Sequence, residues 1–306
     1  MRIAITGTTG FLGRYLVRRF TAGGHELRCW YRAGSDRGGL ENCTQAIEWL
    51  PGELGDAAAV QALLKGVDAV VHAGLARPVG AGFTTSAQSD ILAFAERNVM
   101  GSLQLFQAAF AAGVPRFVFI STCAVHEVIL DDRPLDEAHP LWSRTHYGAH
   151  KAALEAFVHS YGFGAGWPIC ALRPTGIYGL AHPPNASRWH DLVGQVLRGE
   201  AIHTAGGGKE VHAADVARAA ELLLHAEANA VTGQAFNCYD LYVAEQHVAG
   251  IAKELTGSRS TIANMNRGPK HQIDTHTLRA LGTTFGGEPL LRQTVAELVA
   301  ALRQAV

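Results

Sequence analysis

The sequence predicts an open α/β fold, a doubly wound parallel sheet with helices on both faces, followed by a smaller C-terminal region. Three observations predict it. Short apolar runs alternate with segments of helical periodicity as far as Leu172, a glycine-rich turn joins the first such pair, and the alternation breaks at Gly179, Pro183 and Pro184. Parallel strands need a crossover connection, so strands alternating with helices imply a sheet covered on both sides.

Ile3-Ala4-Ile5 is the first strand, and Phe11 to Phe20 carries Leu12, Tyr15, Leu16 and Phe20 at helical spacing. Glu26 to Tyr31 follows as strand, Ala57 to Leu64 as helix, Ala69 to His72 as strand, Val99 to Ala112 as helix and Arg116 to Ser121 as strand. Tyr147 to Tyr161 is helical and Trp167 to Leu172 is a further strand. Beyond Tyr178 the run Gly206-Gly207-Gly208 precedes a helix at Ala214 to Ala226, and a strand near Gln234 to Cys238 returns to the first layer. The expected organisation is a first domain of residues 1–178 plus about 210–240, and a second region of about 179–209 and 241–306.

Composition excludes several classes. The chain has 306 residues, 48% hydrophobic and 17% charged, which is the balance of a globular protein rather than a disordered one. Lys+Arg 26 against Asp+Glu 27 leaves no basic field, so no nucleic-acid partner is expected. Five cysteines, without CxxC spacing, argue against structural disulfides and zinc ribbons. Met1-Arg2 runs straight into the first strand without a secretory leader, and a cytoplasmic location is the expectation. The uncharged stretch from Asn98 to Pro115 is too short for a bilayer and reads as a buried helix ending at Gly113, so no membrane partner is expected. Among the 15 histidines, His146 and His150 stand four apart, but no glutamate completes an HExxH motif and no metal is expected.

The turn Thr6-Gly7-Thr8-Thr9-Gly10-Phe11-Leu12-Gly13 sits between the first strand and the first helix. Gly7 permits the sharp turn, Gly10 lets the backbone approach a pyrophosphate, and Gly13 lets the helix pack closely. The helix N-terminus then offers free N–H groups and partial positive charge to phosphates. An acid at the end of the second strand would bind the adenosine ribose hydroxyls of NAD, but Leu27-Arg28-Cys29-Trp30-Tyr31-Arg32 ends without one. Arg32 suits a 2′-phosphate and Arg14 stands just after the third glycine, which favours NADP and leaves NAD as the alternative.

Tyr147 and Lys151 lie four residues apart and hence on one helix face. A nearby ammonium favours phenolate and brings a phenol with a pKa of about 10 toward neutral use. Lys151 can also hold the nicotinamide ribose. Phe117 to Thr122 is a buried strand ending in two hydroxyls, at the end of the sheet where open α/β folds bind ligands. Thr122 is positioned to hydrogen-bond a substrate oxygen while Tyr147 exchanges the proton, and Ser121 reads as a strand-end backbone partner.

Together these residues resemble the extended short-chain dehydrogenase/reductase family, also called the NAD-dependent epimerase/dehydratase superfamily. Further stretches carry the resemblance: Gly66 to Gly74, Asn98-Val99-Met100-Gly101, Ser121 to Val125, Leu172 to Gly179, and Val211 to Ala217. It implies a Rossmann domain with a small C-terminal substrate-binding region, and it places Thr122, Tyr147 and Lys151 at catalytic positions. It also implies cofactor contacts from Gly7, Thr9, Gly10, Phe11, Leu12 and Gly13 in the turn, from Glu53 and Leu54 at the adenine, and from His72, Ala73, Gly74, Asn98, Pro174 and Gly176. Family members often dimerise through two helices of each subunit, which here would be those containing Val99 and Tyr147.

The departures bear on the reaction. Nucleotide-sugar members usually have an asparagine at the position of Gly176 and an arginine near Gly208 that grips the substrate diphosphate. Dehydratase members follow their threonine with an Asp–Glu pair, where this chain has Cys123 and Ala124, neither of which is a carboxylate. The expected activity is therefore NADP-preferring interconversion of a carbonyl and a secondary alcohol on a small-molecule substrate. The alternatives are a nucleotide-sugar epimerase with tightly bound NAD and a non-catalytic NAD(P)-binding sensor or scaffold. His126, His182 and His190 fall in segments expected to border the substrate.

Overall fold

The fold is that of a computed structural model, which describes residues 1–77, 82, 90–265 and 268–304. The chain runs β1 (Arg2–Thr6), α1 (Phe11–Ala22), β2 (Glu26–Tyr31), β3 (Ile47–Pro51), α2 (Ala57–Leu64), β4 (Ala69–His72), α3 (Ile91–Ala95), α4 (Gly101–Ala111), β5 (Arg116–Ile120), α5 (His146–His159) and β6 (Ile169–Pro174). It continues through β7 (Gly176–Tyr178), α6 (His190–Leu197), β8 (Gly207–His212), α7 (Ala213–His225), α8 (Ala228–Val231), β9 (Ala235–Cys238), β10 (Leu241–Ala244), α9 (Glu245–Thr256), α10 (His276–Ala280) and α11 (Gly287–Gln304). Residues 266–267 and 305–306 of the expected second region lie outside the described residues.

Two compact units divide the chain. The first comprises Met1–Pro174, Ala217–Cys238 and Ile273–Thr283, and the second comprises Thr175–Val216, Tyr239–Gln272 and Thr284–Val306. Residues 273–283, grouped by the sequence with the second region, pack in the first. Leu135 bridges Ile273, Asn237 Nδ2 donates to the Asp274 carbonyl at 3.2 Å, and Thr277 Oγ1 donates to Glu137 at 2.6 Å.

The first unit holds a seven-stranded sheet in the order β3-β2-β1-β4-β5-β6-β9. All its pairs are parallel. The order reverses between β1 and β4, and such a switch point opens a crevice at the C-terminal strand ends. Buried on both faces, β1, β4, β5 and β6 read as continuous apolar runs, as parallel sheets require. One face is covered by Leu63, Leu105, Phe106, Phe117, Leu154 and Val158 in a single hydrophobic cluster. The second unit holds a three-stranded sheet, β10-β8-β7, and a separate core built on Tyr178, Val193, Val248, Leu291 and Leu298.

Three local differences from the sequence reading have physical causes. The stretch after Asn98 enters α4 through a π-turn at Glu96–Met100, and α4 is amphipathic rather than buried, with Leu105 and Phe106 inside and Gln104, Gln107 and Phe110 outside. β3 is a half-buried edge strand whose alternation is too weak to stand out. Gly207 and Gly208, which the sequence offers only as a glycine run ahead of the next helix, lie within β8. Among the described residues no helix is long and apolar enough to cross a membrane.

Candidate active site

The glycine turn is built as its spacing requires. Gly7 adopts φ 76°, and a Cβ there would approach the Ala73 carbonyl oxygen at 2.6 Å, so β1 and the strand beside it close on each other at the switch point. A Cβ at Gly13 would strike the Gly7 carbonyl and the Thr8 backbone. Gly10 meets only the Gly7 oxygen, at 3.2 Å, and begins α1 without a side-chain cap. The first N–H groups of the helix, flanked by Thr9, Phe11 and Leu12, are thus left for an anion. These features fit a dinucleotide diphosphate.

Beside the turn, Gly74 N donates to Thr6 Oγ1 at 3.0 Å, Thr6 Oγ1 bonds His72 Nδ1 at 2.6 Å, and His72 Nε2 bonds Ser102 Oγ at 2.9 Å. Burial holds the His72 imidazole well below its usual pKa, so it is neutral, and both its nitrogens are spent on this chain. Asn98 is spent likewise. Its Oδ1 accepts from Ala76 N at 2.7 Å and its Nδ2 donates to the Ala76 and Phe94 carbonyls at 2.8 and 3.0 Å. His72 and Asn98 therefore shape the loop after β4 through side chains that are already satisfied.

At the end of β2, the structure turns Arg14 away from the expected phosphate role. Its Nε donates to Gly38 O at 2.9 Å, its Nη2 to the backbone and carboxylate of Asp36, both at 3.1 Å, and its Nη1 to Thr9 O. A buried guanidinium must be paired, and here the loop after β2 supplies the partners. Arg32 is exposed, and its backbone N–H donates to Ser35 Oγ at 3.2 Å. The sequence reading missed Arg37, whose guanidinium lies 4.8 Å from the Tyr31 ring centroid and 5.7 Å from that of Trp49. Its signal was a cation a few residues past an acid-free strand end. Glu53 is exposed after β3, and Leu54 packs half-buried on the core.

At the end of β5, the Tyr147 and Thr122 hydroxyls hydrogen-bond each other. Thr122 Oγ1 also accepts from Ala124 N at 3.1 Å, and Thr145 caps α5 by accepting from Gly148 N at 3.1 Å, which fixes the first turn carrying Tyr147. Gly148 is required there, since a Cβ would strike the Ala124 carbonyl. Lys151, one turn on, donates from Nζ to Ile120 O at 2.8 Å and lies 4.5 Å from the Phe119 ring centroid. The expected acidification of the phenol by Lys151 is not the governing effect. Burial raises Tyr147 and the Thr122 bond opposes the rise, while burial pushes the Lys151 ammonium down to about 7 against the pull of Glu155.

Behind these groups lies a charged network that the sequence reading did not find. Arg173 is bidentate on Glu155, Nε to Oε2 at 2.9 Å and Nη2 to Oε2 at 2.5 Å with Nε also 3.1 Å from Oε1. The Ser121 hydroxyl donates to Glu155 Oε1, so Ser121 is a side-chain partner of a buried acid and not only a backbone one. Arg173 Nη1 reaches Glu137 O at 3.1 Å and His126 Nε2 at 3.2 Å. Burial and that guanidinium hold His126 down to about 4. The signal was available in part, because Glu155 stands four residues after Lys151 on the same helix face.

Pro174 ends β6 in the first unit, whereas Gly176 lies on β7 in the second, against Glu210. His182 and His190 also belong to the second unit.

Residues 3–238 match the NAD dependent epimerase/dehydratase family. A 3 beta-hydroxysteroid dehydrogenase/Delta 5-->4-isomerase of Mycobacterium tuberculosis is 31% identical over 203 residues, 65% of this chain and 52% of that protein. A dTDP-D-glucose 4,6-dehydratase of Mus musculus is 29% identical over 83% of this chain and 72% of that protein. The chain thus spans about half the length of the first of these relatives. The solved structure of the Thermus thermophilus UDP-glucose 4-epimerase in complex with NAD shares the fold, with a TM-score of 0.76, 23% identity and full coverage of both chains. The chain belongs to the NAD-dependent epimerase/dehydratase family.

Proposed function

We propose that the chain is an NADP-preferring oxidoreductase that interconverts a carbonyl and a secondary alcohol on a small organic molecule. The observation that carries this reading is the Tyr147–Thr122 hydroxyl pair at the C-terminal end of β5, with the buried Lys151 one helical turn behind it. The nicotinamide, when bound, supplies or accepts the hydride. Tyr147 gives its hydroxyl proton to the substrate oxygen in reduction and takes it back in oxidation, and Thr122 orients that oxygen. Lys151 keeps the strand end in place through Ile120 O and would hold the nicotinamide ribose. The preference for NADP is supported by exposed Arg32 and by Arg37 laid on Tyr31 and Trp49, two cations beside the end of β2.

The purified protein is assayed for oxidation of added NADPH with a panel of ketones and nucleotide sugars. Stoichiometric consumption with a simple ketone is expected. Retained NAD with sugar interconversion and no net redox change supports an epimerase instead. Tyr147→Phe is expected to abolish turnover and keep cofactor affinity, and unchanged turnover removes the acid–base assignment. Arg32→Ala is expected to weaken NADPH more than NADH, and equal weakening removes the cofactor preference.

A further inference from the structure

The second unit contains a buried carboxylate that the reaction above does not use. β7 and β8 pair in parallel with Gly176 opposite Glu210 and Tyr178 opposite His212, so Gly176, Tyr178, Gly208 and Glu210 share one face of the small sheet. Glu210 is 1% exposed. A Cβ at Gly176 would strike its Oε2, and one at Gly208 would come within 2.5 Å of its Oε1. Both glycines thus form a trough shaped to admit this carboxylate.

The trough is only half satisfied. Oε1 accepts from Arg188 Nη2 at 2.7 Å, while Oε2 is buried and finds no hydrogen-bond partner among the described residues, and neither does the buried Tyr178 hydroxyl on the same face. Buried polar atoms are otherwise nearly always paired, so two orphans on one face of one sheet call for an explanation. Arg188 is the cover. Its side chain is 42% exposed, and it rests 5.5 Å from the ring centroid of Trp189. Trp189 itself holds a left-handed backbone at φ 67°, a conformation that bulky residues rarely adopt.

We propose that Glu210 is the recognition acid of a ligand subsite in the second unit, binding a hydrogen-bond donor (an ammonium, guanidinium or hydroxyl) where Arg188 now rests. Arg188 acts as an internal stand-in that a ligand displaces. The sign of the charge selects the class, because a free carboxylate oxygen attracts donors and repels a phosphate or diphosphate. Burial pushes the Glu210 carboxyl up to about 7 and Arg188 opposes the rise, so a second donor would also keep the acid ionised. The proposal concerns the second unit alone and does not rest on the carbonyl-reduction reading.

Binding is tested apart from turnover. The full chain, saturated with NADPH, is titrated with agmatine, an aliphatic guanidine, and with UDP, by calorimetry. Agmatine is expected to bind saturably, at least tenfold tighter in Arg188→Ala, which removes the competitor, and at least tenfold weaker in the isosteric Glu210→Gln. UDP is expected not to displace it. Tighter binding in Arg188→Ala cannot arise from loss of folding. Absence of agmatine binding in both wild type and Arg188→Ala overturns the proposal, as does equal affinity in Glu210→Gln, or displacement by UDP. Tyr147→Phe is expected to keep full agmatine affinity, so failure of ketone reduction with agmatine binding intact counts against the enzymatic reading alone.

Discussion

Glu155 in the first unit and Glu210 in the second are both withdrawn from solvent, at 0% and 1% exposed, yet their surroundings differ. Glu155 is gripped by a guanidinium that is itself 1% exposed and receives the Ser121 hydroxyl, so its oxygens are paired by fixed groups. Glu210 has one oxygen on a half-exposed arginine and the other without a partner among the described residues. A buried acid with a complete set of partners is scaffold, since its charge is neutralised whatever binds nearby. One with an incomplete set stays responsive to protons and to ligands.

The contrast can be broken most forcefully at Arg173. Arg173→Met strands the Glu155 charge, and unfolding in denaturant is expected to show a loss of about 3–5 kcal/mol. A loss below about 1 kcal/mol would put Glu155 in the same class as Glu210. Glu210→Gln comes next, and the effect depends on pH. The folded pKa of about 7 lies above the ordinary 4.5, so this group's contribution to stability is present below 4.5 and lost as the pH rises through about 7. Relative to wild type, Glu210→Gln is expected to gain on the order of 3 kcal/mol between about pH 4 and pH 8. A difference that is flat with pH contradicts the burial argument.

Gly208→Ala sharpens the comparison from the backbone side. The added methyl meets Glu210 Oε1, and the expected loss is about 1–3 kcal/mol by thermal or denaturant unfolding. In a Glu210→Ala background most of that loss should vanish, and a loss of equal size would mean that the glycine serves something other than the carboxylate. The smallest effect is expected from Arg188→Ala, under about 1 kcal/mol at neutral pH, because the pair is half-exposed and the acid can take up a proton instead. A larger loss would show that Arg188 is a support rather than a cover.

Much of the first unit was legible because its signals are local. The turn between β1 and α1, the phenol and ammonium four residues apart, and the apolar strands all lie within short windows governed by one periodicity. The partners that matter most to the electrostatics were not legible. Glu155 and Arg173 are 18 residues apart, on a helix and the strand after it, and only the register of β6 brings them together. Glu210 stands beside Lys209 and reads as a solvated charge. Its burial depends on glycines contributed by two strands, a pairing that no single window contains. Arg14 misled for the opposite reason, since its place after the third glycine suited a phosphate while the backbone of the following loop claimed its donors first.

That last arrangement bears on any attempt to re-engineer cofactor choice. Arg14 holds Thr9 O with one arm and Asp36 and Gly38 with the others, so the glycine turn and the segment carrying Arg37 are fastened to one side chain. Transplanting the segment after β2 from a relative, without its own fastening, would disturb the turn as well as the specificity loop. The smallest exchangeable cassette therefore runs from Thr9 to Gly38 rather than from Arg32 onward.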